Sequence, residues 1–324
     1  ATGQANTTAH TEKSRENNRP DLIDFDPDTI DSAHFPYTIW RSIGKNELDN
    51  PENFLMGGHF GEYSLRNAIA AYLHGSRGVV CAPENIIVGA GLDHLLQMLC
   101  ILLGRGSVIA MEDPGYLSAR QVIRGAGLSV LDIPLKNNVF DVNALSHTGA
   151  DVCYVTPSHQ FPMGTVMGIG IRQKLLTWAS AKTGRFVIED DHDSEFRYKG
   201  RPIPALQSLD NSQCVIYIGS LSKAISPAIR TGYMVLPDAL LEKYRQVCGY
   251  YACPVSRVSQ AILTTFIRDG YFEKHLNRMR KIYKQKHDHM VELLQTLFPA
   301  GRIRISGDDA GLYVILEYLG KQTE

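Results

Sequence analysis

The sequence predicts an α/β protein with a mostly parallel sheet that helices cover on both faces. From residue 84 onward, short apolar segments alternate with helical ones, a pattern that favours parallel strands. Each apolar segment ends in polar or small residues, such as Gly-Ala-Gly or Glu-Asp-Asp. Functional groups gather at the carboxyl ends of strands in such sheets, so these ends are where we expect a site.

Composition allows a sizeable core and excludes some functions. The chain has 324 residues, is 44% hydrophobic and carries 33 basic against 34 acidic residues, a net charge of -1. This balance argues against a large nucleic-acid-binding surface on this stretch of chain. The six cysteines form no C-x-x-C pair, so we expect free thiols and a cytoplasmic protein. The longest apolar run, "LLQMLCILL", is too short to span a bilayer, and we expect no membrane association.

The chain divides into four predicted regions. Residues 1–20 contain no large aliphatic or aromatic residue and are expected to be a disordered linker remnant. Residues 21–65 form an arm that leads into a large domain over 66–255. Residues 256–324 contain a long helix and the start of a small α/β domain, which we expect to be incomplete.

The elements of the large domain follow from their apolar pattern. The predicted strands are "ENIIVGAG", "SVIAMEDP", "LSVLDIPL", "DVCYVTPS", "RFVIEDD" and "CVIYIGS". The predicted helices are "LDHLLQMLCILL", "YLSARQVIRGAG" and "IRQKLLTWASAKTG". The run from Tyr271 to Phe298 predicts one long amphipathic helix, or two, before two further strands.

Residues with distinct chemistry follow the strand ends. Asp190 ends one strand and Ser220 the next, with Lys223 and Arg230 just beyond. A ligand that uses all of them needs a phosphate for Ser220 and Arg230, and an aldehyde for a lysine amine. It also needs a basic ring nitrogen for a carboxylate and a flat face for Tyr116 to stack on. Pyridoxal 5'-phosphate (PLP) has all four features, so the sequence predicts a PLP site.

Other interpretations of single motifs are weaker. Lys223 alone would be an ordinary solvated lysine. The turn Gly89-Ala90-Gly91 could open a dinucleotide fingerprint, but His94 stands where the third glycine is needed. The run "EDDHD" could suggest a metal site, yet adjacent residues at a strand end mostly point to opposite faces. We therefore expect no metal.

Several long motifs resemble the aminotransferase-like domain of the MocR/GabR family of bacterial transcription regulators. They are "TPSHQFPMG", "VIEDDHDSEFRYKGRPIPALQSLD" and "VIYIGSLSKAISPAIRTGYMVLP", and the resemblance runs from about residue 22 to the end. It implies a fold-type I PLP-protein fold. It also implies that the full-length protein contacts promoter DNA only through an N-terminal winged helix-turn-helix, which is absent from this chain.

The resemblance also assigns roles by position. Lys223 should form the internal aldimine (Schiff base) with PLP, Asp190 should pair with the ring nitrogen, and Tyr116 should stack on the ring. The residues implied in holding the phosphate are Ser220, Ser222, Arg230, Ala90, Gly91 and Leu92. The loop expected at the ring's other edge carries Ser158, His159 and Phe161.

The chain departs from the family pattern in three ways. His192 stands where the family usually has a tyrosine that hydrogen-bonds the ring hydroxyl. Ser118 replaces the arginine that members responding to GABA use for the effector carboxylate. The carboxylate-binding arginine near the end of the family's small domain lies beyond residue 324, which leaves Arg41 as a candidate in its place.

Two functions remain open at this point, besides a PLP-free scaffold. In the first, the chain is the effector-binding and dimerisation domain of a regulator, and an amino compound displaces Lys223 by external aldimine formation. D-alanyl-D-alanine is one candidate effector. In the second, it is a PLP-dependent aminotransferase with Lys223 also acting as general base. The resemblance implies a homodimer to which "HFGEYSLR" and "GYYACPVS" contribute.

Overall fold

A mixed sheet of eight strands forms the centre of the molecule. The computed structural model describes residues 30–191, 193–198 and 204–320, so the expectations for residues 1–29 and for His192 lie outside the described residues. The strands of this sheet are β1 (Ile86–Gly89), β2 (Val108–Asp113), β3 (Ser129–Lys136), β4 (Val139–Phe140), β5 (Val152–Val155), β6 (Phe186–Asp190), β7 (Val215–Ser220) and β8 (Gly232–Val235).

Helices of the described residues surround the sheet and continue beyond it. They are α1 (Tyr37–Leu48), α2 (Tyr63–Arg77), α3 (Leu92–Leu103), α4 (Leu117–Gly125), α5 (Val142–Ser146), α6 (Ile169–Ser180), α7 (Asp238–Val247), α8 (Arg257–Arg268) and α9 (Tyr271–Leu297). A separate antiparallel pair, β9 (Ile303–Ser306) and β10 (Ile315–Tyr318), follows α9.

The strand order is β1-β8-β7-β6-β5-β2-β3-β4. Five adjacent strands, β7, β6, β5, β2 and β3, run parallel to one another, which confirms the predicted α/β class with a mostly parallel sheet. The sequence analysis did not identify β8, which pairs antiparallel with both β1 and β7. This short strand begins two residues after Arg230, and it lies next to β7 in the sheet.

Apolar side chains fill both faces of the sheet. Strands β5 and β8, and the edge strand β1, are buried at every position, as strands covered on both faces are. One face packs against α3, α4 and α7, and a second cluster lies under α5 and α6. The predicted helix over residues 92–103 coincides with α3, because its apolar stripe continues the same core.

The C-terminal part packs against the segment that follows β6. Helix α9 is one continuous helix of 27 residues, which answers the question left open by its sequence. Beyond it, the Tyr198 N–H donates to the Asp309 carbonyl at 2.9 Å, and the Gly311 N–H donates to the Phe196 carbonyl at 2.6 Å. The start of the described chain also rests on α9, where Asp31 pairs with Lys286 at 2.6 Å.

Two further expectations from the sequence concern membrane-spanning helices and the cysteines. Within the described residues, no helix has the length and hydropathy required to cross a membrane. All six cysteines are free, as expected, and four of them are buried.

A buried ion pair fastens α2 to the end of β6. The Arg77 guanidinium donates to both carboxylate oxygens of Asp191, at 2.8 and 2.9 Å. The same carboxylate accepts hydrogen bonds from the hydroxyls of Ser158, Ser194 and Tyr217. Burial alone would raise the pKa of Asp191, but the charge of Arg77 and these donors hold it below its ordinary value.

Replacing Arg77 with Met should strongly destabilise the fold. The substitution leaves the Asp191 carboxylate buried without its cation, and such changes cost about 3–5 kcal/mol. Urea unfolding at pH 7 measures this loss directly. The control is Arg304→Met, which breaks the solvent-exposed pair with Glu317 and should cost at most about 1 kcal/mol. Equal losses in the two variants would contradict the role assigned to Arg77.

Candidate functional site

A cavity of about 690 Å³ opens at the carboxyl ends of β6 and β7. It brings together seven of the residues predicted from sequence: Leu92, Tyr116, Asp190, Ser220, Ser222, Lys223 and Arg230. Ile30 and Ser32, at the start of the described chain, form part of its wall. Residues from five separate segments therefore meet around one volume.

One end of the cavity is suited to an anion. The Arg230 guanidinium lies over the start of α3, where a Cβ added to Gly91 would come within 3.0 Å of Nη2. Gly91 itself has φ +82°, so a side chain there would be both strained and obstructed. Arg230 adopts a left-handed conformation with φ 44°, which costs a non-glycine residue about 1 kcal/mol. This turn directs a cation towards a helix N-terminus, whose free N–H groups also attract anions.

Two serine hydroxyls lie beside this cation. The Ser220 Oγ accepts a hydrogen bond from the Ser222 N–H at 3.1 Å, which leaves the Ser220 hydroxyl proton for another acceptor. The Ser222 Oγ is buried and has no hydrogen-bond partner among the described residues. Buried hydroxyls normally find a partner, so this one fits a ligand with acceptor oxygens, such as a phosphate.

Asp190 presents a buried carboxylate to the cavity. Desolvation raises its pKa to about 7, while a hydrogen bond from Tyr154 and the charge of Lys223 act in the opposite direction. The Tyr154 hydroxyl donates to Oδ2 of this carboxylate. A basic ring nitrogen bound here would add a cation and favour the ionised carboxylate further. The sequence analysis did not single out Tyr154.

Lys223 also lines the cavity and lies close to a second carboxylate. Its Nζ is 3.8 Å from Oδ1 of Asp193, whose side chain is fully buried. Oδ2 of Asp193 lies 3.8 Å from Nδ1 of His159 and 3.4 Å from the backbone nitrogen of Leu312. Asp193 therefore connects the lysine to the turn before β10, a role that its sequence position did not reveal.

Tyr116 belongs to a group of three packed aromatic rings. The rings of Tyr116 and Phe161 meet edge to face with centroids 5.3 Å apart, and Tyr313 meets Phe161 at 5.8 Å. Tyr116 lines the cavity itself. A planar ligand beside Tyr116 would thus find its stacking partner held in place by the second and third rings.

The remaining predicted residues lie elsewhere. Ser158 is buried at the Arg77–Asp191 pair and borders a separate cavity of about 320 Å³. His159 is fully buried under Gly311, where an added Cβ would overlap its ring. The exposed residues Ser118 and Arg41, on α4 and α1, are not among those lining the 690 Å³ cavity. Their roles, that of Ala90 and that of His192 remain predictions.

The neighbours of Asp190 are directed away from a shared metal site. The Glu189 carboxylate accepts from the N–H groups of Leu206 and Gln207, at 2.6 and 2.8 Å. Asp191 is held by Arg77 instead. Over the described ranges, no group of three or more His, Cys, Asp or Glu residues could hold a metal ion.

Glu112 is a further buried carboxyl group near the site. It lies in β2, and its Oε2 accepts from the Thr156 N–H at 3.1 Å and hydroxyl at 2.9 Å. Desolvation raises its pKa to about 7, although the Thr156 donors favour its ionised form, and the charge of Asp190 adds to the rise. The charge of Asp190 therefore disfavours ionisation of this neighbouring carboxyl group.

Comparison with known proteins identifies the class of protein that this fold and site define. The family model for aminotransferase class I and II matches residues 29–322. An archaeal alanine:glyoxylate aminotransferase superposes with a TM-score of 0.80 at 28% identity, over 88% of this chain and 73% of the enzyme. A Pyrococcus horikoshii kynurenine aminotransferase, solved in complex with PMP, gives 0.77 at 27%, over 88% and 72%. The chain belongs to this family, which depends on PLP.

Several sequence relatives of the chain are transcription regulators. The HTH-type transcriptional regulator YdeL of Bacillus subtilis is 41% identical over 96% of this chain and 67% of its own length. The probable rhizopine catabolism regulatory protein MocR of Rhizobium meliloti is 34% identical over 94% and 62%. The chain is thus a member of the MocR group, and it spans about two thirds of the length of these relatives.

Replacing Glu112 with Gln should change the pH dependence of stability. Because the pKa of Glu112 is raised in the folded state, its contribution to stability is present at low pH and is lost as pH rises through about 7. Between pH 5 and 8 the free energy of unfolding of the wild type should therefore fall by about 2 kcal/mol more than that of the variant. Urea unfolding across this range measures it, with the exposed substitution Glu242→Gln as control. Parallel curves for Glu112→Gln and the wild type would contradict the burial argument.

Proposed function

We propose that this chain is the effector-binding and dimerisation part of a PLP-dependent MocR-type transcription regulator. The observation that carries the proposal is the single cavity in which Lys223, Asp190 and Arg230 meet. Each supplies a different chemical requirement of PLP, and the family membership supports the same cofactor.

Different residues would bind different parts of the cofactor. Ser220, Ser222 and Arg230 would hold its phosphate, together with the backbone N–H groups of residues 90–92. Asp190 would pair with the ring nitrogen, and Tyr116 would cover the ring. His192 would hydrogen-bond the ring hydroxyl in place of the family's tyrosine.

Bound PLP supplies an aldehyde that condenses with an amine, with loss of water. Lys223 would hold the cofactor through this bond until an effector amine takes its place. The freed lysine would take up the proton that the effector's ammonium group loses, and its charge would then lie 3.8 Å from Asp193. Effector contacts are assigned to Phe161, Ser118 and Arg41, and D-alanyl-D-alanine is a candidate effector.

Effector binding at this site would alter DNA binding through other parts of the full-length regulator. Its longer relatives are helix-turn-helix regulators, so we assign DNA binding to an N-terminal domain preceding this chain, acting in the cytoplasm. An effector shifts such an equilibrium only by the difference in its affinity for the two arrangements. Turnover is not required for this output.

We further propose that the chain forms a homodimer through the surface near α2 and the loop before α8. Large apolar side chains are exposed there on neighbouring segments: Phe54, Leu55, Met56, Tyr63, Tyr250 and Tyr251. His59 and Tyr251 join the two segments at 3.1 Å. Exposed apolar patches of this kind mark interaction surfaces. Tyr63, Tyr250 and Tyr251 lie in the stretches expected to contact a partner, and Phe54, Leu55 and Met56 lie just before the first of them.

A PLP-dependent aminotransferase is the second candidate function. The similarity to solved aminotransferases favours it, because an enzyme would use the same cavity with Lys223 moving the substrate proton. Sustained keto-acid production distinguishes the two, since a sensor needs at most one conversion per site.

Purified protein mixed with PLP should develop the visible absorption band of lysine-bound cofactor. Lys223→Ala should lose the band, because no other described lysine lines the cavity. Lys243→Ala, which removes an exposed lysine on α7, should keep it. Borohydride reduction followed by peptide mapping should place the cofactor on Lys223. A band of equal strength in Lys223→Ala would contradict the assignment.

Arg230→Met should weaken PLP binding through the phosphate alone. Loss of a charge-assisted bond predicts an affinity at least about tenfold lower for PLP, but a change within about twofold for pyridoxal, which lacks the phosphate. Fluorescence titration measures both, and Arg245→Met on α7 provides the matched exposed control. Equal losses for the two ligands would mean that Arg230 acts on the fold instead.

Titration of the PLP-loaded protein with amino compounds tests the sensor function. An effector should shift the absorption band once, with keto acid limited to at most about one equivalent per site. D-alanyl-D-alanine, single amino acids and simple amines form the test series. Many equivalents of keto acid from any of them would establish the aminotransferase instead.

A further inference from the structure

We infer that Tyr154 is a positioning residue for Asp190: its hydroxyl fixes one carboxylate oxygen and leaves the other to face the cofactor's ring nitrogen. The inference rests on the proposed function, because it requires Asp190 to meet that nitrogen. It adds a residue that lies behind the site and does not line the cavity.

The register of two neighbouring strands places the two side chains together. Strand β5 runs parallel to β6 with Tyr154 opposite Ile188. Side chains alternate along a strand, so Asp190, two residues after Ile188, points to the same face as Tyr154. Tyr154 is only 1% exposed, and its hydroxyl donates to Oδ2 of Asp190. The remaining oxygen, Oδ1, is then the one available to a ligand in the cavity.

The charges around Asp190 make this hydrogen bond consequential. Asp191 and Asp193 disfavour its ionisation, as does burial, whereas Tyr154 and Lys223 favour it. Glu112, on β2, adds a further carboxyl group whose pKa is itself raised by Asp190. Burial and the carboxylate raise the pKa of Tyr154 well above its ordinary value, so the tyrosine keeps its proton and donates it. Tyr154 is thus the neutral donor in a group of competing carboxylates.

This arrangement has a consequence for the bound cofactor. An ionised Asp190 favours a protonated ring nitrogen. That positive charge disfavours a second proton on the nitrogen that joins the cofactor to Lys223, since like charges on one ring repel. The pH at which the lysine-linked nitrogen loses its proton therefore reports the state of Asp190. Removal of the Tyr154 hydroxyl should move that pH upward.

The experiment is a pH titration of the absorption band in PLP-loaded wild type and Tyr154→Phe. The phenylalanine keeps the ring and removes only the donor, so the transition should rise by about one pH unit, a tenfold change in the proton equilibrium. The matched control is Tyr217→Phe. Tyr217 is equally buried and donates to Asp191 instead of Asp190, so its loss should affect stability without moving the transition.

A second substitution tests the same bond with the opposite sign. Placing 3-fluorotyrosine at position 154 keeps the hydroxyl and makes it a stronger donor, so the transition should move downward. The 3-fluorotyrosine side chain keeps nearly the native shape, so this second protein still tests the hydrogen bond if Tyr154→Phe does not fold. Combining Tyr154→Phe with Asp190→Asn should abolish the shift, because the acceptor carboxylate is gone.

The outcomes separate the two proposals. No absorption band in the wild type would overturn the PLP site and this inference with it. A band in the wild type, with the same transition in Tyr154→Phe and the fluorotyrosine protein, would overturn the role of Tyr154 and leave the PLP site intact. A shift in Tyr217→Phe as large as that in Tyr154→Phe would also overturn it, since a general loss of packing would then explain both.

Discussion

The ion pair of Arg77 and Asp191 is the interaction on which the arrangement of the site depends. Three consecutive acidic residues, Glu189 to Asp191, lie buried at the end of β6 and directly after it. Uncompensated carboxylates at this spacing would be costly to bury. Arg77 offsets the charge of Asp191 from outside the sheet, and it fixes the direction in which the chain leaves β6. The segment that carries Asp193 starts from this fixed point.

The three carboxyl groups have three different sets of partners, and this division leaves one of them for a ligand. Glu189 is held by backbone N–H groups, with Arg172 3.8 Å away, and burial raises its pKa to about 7. Asp190 has the tyrosine hydroxyl and the cavity. Because each group is held separately, they do not converge on one point as metal ligands would. Of these three, the run that could suggest a metal site thus leaves Asp190 for a ligand, while Asp193, two residues past Asp191, lies beside Lys223.

The sequence revealed those parts of the fold and site that depend on local pattern. The strand ends at Asp190 and Ser220 follow from apolar runs that stop at polar residues, and α3 follows from its apolar stripe. Strand β8 escaped notice because four residues after a turn carry no periodicity of their own. Arg77 and Tyr154 escaped notice for a different reason. An arginine near a helix end is usually solvated and a tyrosine in an apolar strand usually belongs to the core, so only their three-dimensional partners reveal their roles.

A fold shared by aminotransferases and regulators requires the site to act on different neighbours in the two cases. An enzyme needs Lys223 to move a proton, whereas a sensor needs the state of Lys223 to alter contacts elsewhere. Asp193 lies where such a contact would be made, between Lys223 and the Leu312 N–H. Its fully buried carboxylate can be balanced by the lysine only while the lysine is charged. If Lys223 bonds to PLP as proposed, a change in that bond would alter the electrostatic balance of a residue that also contacts the C-terminal part, and such a link would allow sensing without turnover.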